Sequence, residues 1–278
     1  GAIYIEHGSV TLENNVELSA NNAAGSTGGA VYVDKQGMLT INGALLKLNN
    51  ATKPSSSIGH GGGIFVTGDA GSHGTVVMSA GTIESNIASV NGTNSDGSGG
   101  GVCIDGQGVF EMSGGEIKEN KAKNGGGVYI DAGAKFSIKG EARVTVNSLE
   151  NDVYIKSGGA ITMTGALTQS AAKPFPAARI TPESYTAGTA VVKGGGYTLQ
   201  STDAAGKFSL TQQPVMQWEL ELQSGSLVLK KIGAFVDGSV SGAWKKLKDA
   251  VDAASDGDTI IVKNTVQADN SSPDNSGE

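Results

Sequence analysis

The stretch Gly125-Gly126-Gly127-Val128-Tyr129-Ile130-Asp131 joins a glycine run to an aliphatic–aromatic–aliphatic triplet and closes on an acid. The same unit recurs as Gly99-Gly100-Gly101-Val102-Cys103-Ile104-Asp105 and as Gly61-Gly62-Gly63-Ile64-Phe65-Val66-Thr67. Earlier copies are Gly28-Gly29-Ala30-Val31-Tyr32-Val33-Asp34 and Gly1-Ala2-Ile3-Tyr4-Ile5-Glu6, and a worn one is Asn151-Asp152-Val153-Tyr154-Ile155-Lys156. Taking the first aliphatic of each triplet as a marker (Ile3, Val31, Ile64, Val102, Val128, Val153), the spacings are 28, 33, 38, 26 and 25 residues. A near-constant unit with insertions is the signature of a stacked repeat. The extra residues fall in two polar stretches, Thr52 to His60 and Ser89 to Ser98, which read as loops on one side.

A second short strand follows each triplet, as in Leu39-Thr40-Ile41, Phe110-Glu111-Met112 and Phe136-Ser137-Ile138. Its apolar–polar alternation is that of a half-buried strand. A turn and a third strand come next, such as Glu116-Ile117-Lys118, and each copy then reaches an asparagine: Asn21, Asn49, Asn86, Asn120 and Asn147. Three short strands per copy, with no helical pattern between them, exclude a βαβ unit. The expectation is an all-β chain wound as a right-handed parallel β-helix, each strand bonded to its counterpart one turn on. Aliphatic columns would fill its inside, glycine would supply the left-handed corners, and the asparagines would stack as an amide ladder.

The organisation predicted is regular coils over 1–165, irregular terminal coils closing the solenoid over 166–233, and the truncated start of a following β-helix unit over 234–278. The last segment carries the one short helix. Trp244, Leu247, Ala250, Val251 and Ala254 have helical spacing, Ser241 reads as a cap and Gly257 as a stop, and Asp258-Thr259-Ile260-Ile261-Val262 reads as a strand.

Composition narrows the function. The 278 residues contain 43 glycines without the three-residue period of collagen. A net charge of −7 with no basic cluster argues against nucleic acid as a partner. One cysteine, Cys103, leaves no internal disulfide and no cysteine zinc site; it holds the triplet position of an aromatic and reads as a packing residue. No apolar run approaches the ~20 residues of a membrane span, so any membrane attachment belongs to parts of the protein outside this chain. The chain opens inside a repeat and reads as a piece of a longer protein.

The triplets GGAVYV, GGGIFV, GGGVCI and GGGVYI, followed by segments like MSGGEIKEN, resemble the repeats of bacterial surface β-helix proteins, notably chlamydial polymorphic outer-membrane proteins with their GGAI and FxxN motifs. Similar repeats occur in spirochaete and Gram-positive surface proteins. The resemblance covers roughly residues 1–165. The asparagine here follows Ile117-Lys118-Glu119 rather than a Phe-x-x segment. The resemblance implies a pectin-lyase-like fold, an extracellular or cell-surface location, and adhesion or display toward a host protein or glycan.

Two sets of residues are candidate sites. If the flanking aliphatics point inward, Tyr4, Tyr32, Phe65, Tyr129 and Tyr154 lie on one outer face. Five steps of about 4.8 Å make a stripe roughly 24 Å long. Such a stripe either stacks on sugar rings or docks a protein, or its rings pack on one another and under the loops. Asp105 and Asp131 follow the triplets of adjacent copies and could hold calcium or, as paired acids, hydrolyse a glycoside; the alternative is turn chemistry. No other cofactor is expected. A polysaccharide lyase or hydrolase on the same fold is the rival to a non-enzymatic module. It would need the acids joined by an arginine, and Arg143 and Arg179 are the candidates. His7, His60 and His73 occupy different repeat phases and read as solvated.

Overall fold

The computed structural model describes residues 1–52, 59–89, 97–145, 151–213, 216–237, 243–252 and 260–263. The chain is mostly β, and 19 of its strands join in one mixed sheet. The copies of the triplet pair in parallel and in register. Ile3 pairs with Val31, Val31 with Ile64, Ile64 with Val102, Val102 with Val128 and Val128 with Val153. Val31, Ile64, Val102 and Val128 form one buried column, and Val33, Val66, Ile104 and Ile130 form the next. Register is held because β side chains alternate with a period of two: a slip of one residue would turn every aliphatic outward.

A second ladder carries Val10, Leu39, Val76, Phe110, Phe136 and Ile161. A third carries Leu18, Leu46, Ile83, Ile117 and Val144. The three inner faces share one apolar core, in which Phe110 and Phe136 stack at 5.3 Å. A small separate sheet of Asn22–Ala24, Asn50–Thr52 and Ile87–Ser89 lies just beyond the asparagines. In the early copies the strands are continuous rather than three short pieces: Val31–Lys47 runs through all three ladders, its register shifting where extra residues are taken up.

The asparagine ladder is present. Asn49, Asn86, Asn120 and Asn151 are fully buried. Each Oδ1 accepts from the backbone N–H and the Nδ2 of the asparagine one copy earlier; for Asn86 both distances, to Asn49, are 2.9 Å. Each Nδ2 also donates to a main-chain carbonyl, that of Asn86 to Leu46 O at 3.0 Å. The fifth member is Asn151, not Asn147, which lies outside the described residues. Asn151 ends the series by donating to Ile117 O and to Thr145 O.

Glycine does not supply the left-handed backbone at this corner, contrary to expectation. The residues before the asparagines, Ala20, Leu48, Ser85 and Glu119, have φ of 54°, 55°, 54° and 57°. A left-handed non-glycine residue costs about 1–2 kcal/mol, and the amide ladder that follows holds each one in place. Glycine does act so at the next corner, where Gly28, Gly61, Gly99 and Gly125 have φ between 63° and 69°. There the backbones nearly touch: a Cβ on Gly62 would lie 2.4 Å from Gly100 O.

The glycine run stops at the worn copy. Asp152 takes the vacated place, its carboxylate accepting from Gly126 N at 3.0 Å and its carbonyl from Gly127 N and Val128 N. Burial raises its carboxyl above the usual value, against hydrogen bonds from Thr181 and Gly126 and the charge of Arg179.

Beyond 165 the first ladder continues through Ala178–Pro182 to Phe208–Leu210 and the second to Ala190–Gly194. The pattern then changes. Ser226–Asp237 pairs antiparallel with both Ala190–Gly194 and Met216–Gln223, lying across the end of the second ladder. Helix Ala243–Asp252 connects it to Ile260–Lys263, which pairs with it in parallel. The predicted helix is there, with Ala250 buried, but it is not alone: a one-turn helix, Ser201–Ala204, that the sequence did not predict precedes Phe208–Leu210. Val251 is 54% exposed and is not on the apolar face, because one residue turns a helix by about 100°. Ser241, Ala254 and Gly257 lie outside the described residues.

Candidate functional site

The outer face of the first ladder is where the sequence placed its binding and metal candidates. Parallel pairing puts Tyr4, Tyr32, Phe65, Cys103, Tyr129 and Tyr154 in one column. In-register strands bring equivalent positions to about the stacking distance of aromatic rings. Tyr4–Tyr32 and Tyr32–Phe65 centroids are 5.2 and 5.1 Å apart, and Tyr129–Tyr154 lie 5.6 Å apart with planes at 7°.

The column is therefore not a continuous exposed stripe. Phe65 is 7% exposed and Cys103 2%, so the middle is packed and the rings fall into two groups. Tyr32, Tyr129 and Tyr154 are half-buried, and only Tyr4, at 61%, is open. Tyr129 and Tyr154, stacked face to face, offer a ligand their edges and hydroxyls rather than the faces that sugar stacking needs, whereas Tyr4–Tyr32 and Tyr32–Phe65 are tilted at 39° and 36°. Burial, with Asp34 beside it, pushes the Tyr32 phenol up to about 12. Burial, with Asp131 beside it, raises Tyr129 further, so these phenols stay protonated donors. Burial also raises the Cys103 thiol well above its ordinary value, which leaves it an inert packing group.

Asp105 and Asp131 follow their triplets on adjacent strands as expected. Each opens a turn: Gly108 N donates to Asp105 O at 2.9 Å and Ala134 N to Asp131 O at 3.1 Å. Lys156, at the same place one copy on, opens the same turn with Gly159 N. A lysine serving equally well shows that the position is defined by the turn. The carboxylates have local partners, Asp131 with Lys156 Nζ at 3.0 Å and Asp105 with Thr67 Oγ1 at 3.5 Å. Calcium needs roughly six to eight oxygens, and among the described residues no three acid, histidine or cysteine side chains group to hold a metal.

The arginines do not join the acids. Arg143 is buried; its guanidinium donates to the carbonyls of Ala142, Thr168, Lys173 and Pro174 and lies 4.9 Å from the Phe175 ring centroid. It fastens the 168–175 excursion to the third ladder. Arg179 is buried near Asp152. His7 and His73 are exposed and His60 is half-buried, on three separate segments.

The two long insertions, expected on one side, are rooted at paired positions. Thr52 pairs with Ser89 at their exit and His60 with Ser98 at their return. Residues 53–58 and 90–96 lie outside the described residues, but their anchors are neighbours on one corner. The unequal lengths leave the ladder undisturbed, with Ile64 and Val102 in register immediately afterwards. Spacing located the insertions, and the pairing of the anchors adds which residues stand side by side.

Compared with protein-family models, curated proteins and solved structures, the chain matches none. The likeness of its glycine–triplet units to bacterial surface repeats rests on those motifs alone.

Proposed function

We propose that the chain is a non-enzymatic display module of a bacterial cell-surface protein. In this reading its three ladders wind as a right-handed parallel β-helix, and side loops on one corner bind a host protein or glycan. The observation that carries it is the paired rooting of the insertions, Thr52 against Ser89 and His60 against Ser98, on an unbroken register. A frame whose core is indifferent to loop length is suited to present variable loops. Packing of Phe65 and Cys103 moves the expected contact surface from the aromatic stripe to these loops, with Tyr129 and Tyr154 at most contributing hydroxyls. Engagement of Arg143 by four carbonyls and of Asp131 by Lys156 favours this reading over a polysaccharide lyase or hydrolase.

The test replaces residues 53–58 and 90–96 together by Gly-Ser links and screens both proteins against a glycan array and a panel of extracellular-matrix proteins. The expected outcome is an unchanged melting temperature and loss of the interaction that the intact chain shows. Retained binding after loop replacement, or release of unsaturated uronate from a polysaccharide by the intact chain, would overturn the proposal.

A further inference from the structure

The end of the first ladder is built differently from the end of the second. Ser226–Asp237 covers the second ladder, whereas Phe208–Leu210 pairs only with Ala178–Pro182 among the described residues. The bonds Ala177 N to Lys207 O and Thr211 N to Ile180 O fix which edge is occupied. The main-chain groups of Lys207, Ser209 and Thr211 point toward the ladder, so those of Phe208 and Leu210 point away from it. Met216–Gln223 pairs along one edge with Ser226–Asp237 through Gln223, Glu221 and Glu219, which turns the main-chain groups of Trp218, Leu220 and Leu222 the other way. Gln212 confirms the direction at Trp218: its side-chain amide donates to Trp218 O at 2.9 Å and accepts from Trp218 N at 2.8 Å. One side chain thus mimics a strand partner there. Leu220 and Leu222 have no such partner among the described residues.

Between these two edges lies a cleft of about 610 Å³, walled also by the helix Ser201–Ala204, with Leu210, Trp218, Leu220 and Leu222 on its apolar side and Glu219, Glu221 and Lys230 at its rim. The buried Ser209 Oγ on its wall has no hydrogen-bond partner. Lys230 is shared between the two carboxylates, at 3.0 and 3.3 Å, so this group keeps one net negative charge. Edge strands with unpaired main-chain groups are templates for an added strand.

We propose that this cleft takes an extended segment of a partner protein in which apolar and basic residues alternate. The segment adds as a strand to the Leu220–Leu222 edge. Its apolar side chains enter the cleft over Leu210, Leu220 and Leu222, and its lysines or arginines meet Glu219 and Glu221 on the opposite face. Stacking of a second copy's triplet strand on Phe208–Leu210 is disfavoured, because the antiparallel hairpin already crosses the adjoining ladder. The inference is independent of the loop-display reading.

The experiment titrates the intact chain with an N-acetylated, C-amidated heptapeptide of alternating lysine and valine, followed by amide chemical shifts. Controls are the same peptide N-methylated at alternate residues and a glutamate–valine peptide. The expected result is shift changes centred on Leu210, Leu220 and Leu222, with at least tenfold weaker binding of both controls. Leu220→Pro removes the donating N–H and should abolish binding. Glu219→Lys with Glu221→Lys, which alters exposed residues only, should reverse the preference to the glutamate peptide, and serves if the proline variant does not fold. Equal binding of the methylated peptide, shifts elsewhere, no binding at all, or self-association of the chain through this edge would each overturn the proposal.

Discussion

Two corners of the same chain solve the turning problem with different chemistry. At one, Gly61, Gly99 and Gly125 take the left-handed conformation, and the glycine after each of the first two sits against neighbouring backbone so closely that no side chain fits. At the other, Leu48, Ser85 and Glu119 take nearly the same φ with full side chains. Their side chains project away from the core, and the asparagine that follows ties its neighbours with up to four hydrogen bonds. The lesson is that glycine is compulsory where space is missing and replaceable where only φ is at issue, provided that the strained residue is followed by something that holds it.

The largest expected effect comes from breaking the asparagine corner. Asn86→Ala leaves Asn49 N–H and Leu46 C=O buried without partners. At about 1–3 kcal/mol for each orphaned group, the loss is on the order of 4 kcal/mol. Chemical denaturation should show it as a lowered midpoint, and a loss under ~1 kcal/mol would mean the ladder is decorative.

Next is the glycine corner. A Cβ on Gly100 would lie 2.5 Å from Lys121 O and 2.6 Å from Gly126 O, so Gly100→Ala should cost about 3 kcal/mol through overpacking. Gly100 has no positive φ, so the effect isolates crowding from conformation.

The converse substitution sharpens the contrast. Ser85→Gly relieves about 1–2 kcal/mol of left-handed strain but returns roughly 0.5–1 kcal/mol through the freer unfolded chain. A net gain of about 0.5 kcal/mol is expected, and a clear loss would show that Ser85 is not strained.

The smallest effect is pH-dependent. Because burial raises the folded Asp152 carboxyl above its ordinary 3.8, folding favours the protonated form. Stability from this group is full below that value and declines as pH rises through the folded value. Asp152→Asn keeps an acceptor for Gly126 N without the buried charge. It should melt higher than the parent at neutral pH, the difference vanishing below pH 3.8.

Most of the ladder structure was legible because it depends on periodicity. The columns of Val31, Ile64, Val102 and Val128, the positions of the second and third strands, and Asn21 through Asn120 all follow from spacing alone. Asn151 was missed because extra residues separate it from Val144, and spacing places the eye on Asn147. The outward faces were less legible. Tyr and Asp at equivalent positions suggested a stripe and a metal pair, but Phe65 and Cys103 interrupt the first, and the second has Asp131 paired with Lys156.

By itself, the sequence determined which residues go inside and which must turn, since alternation and glycine are local properties. Only the tertiary structure decided which neighbours those residues meet: how far each ring of the column is buried, which carboxylate finds a lysine, which insertion anchors pair, and which strand edge has no paired strand among the described residues. Most of those are contacts between different strands, and their energies depend on distance and burial that no local pattern encodes.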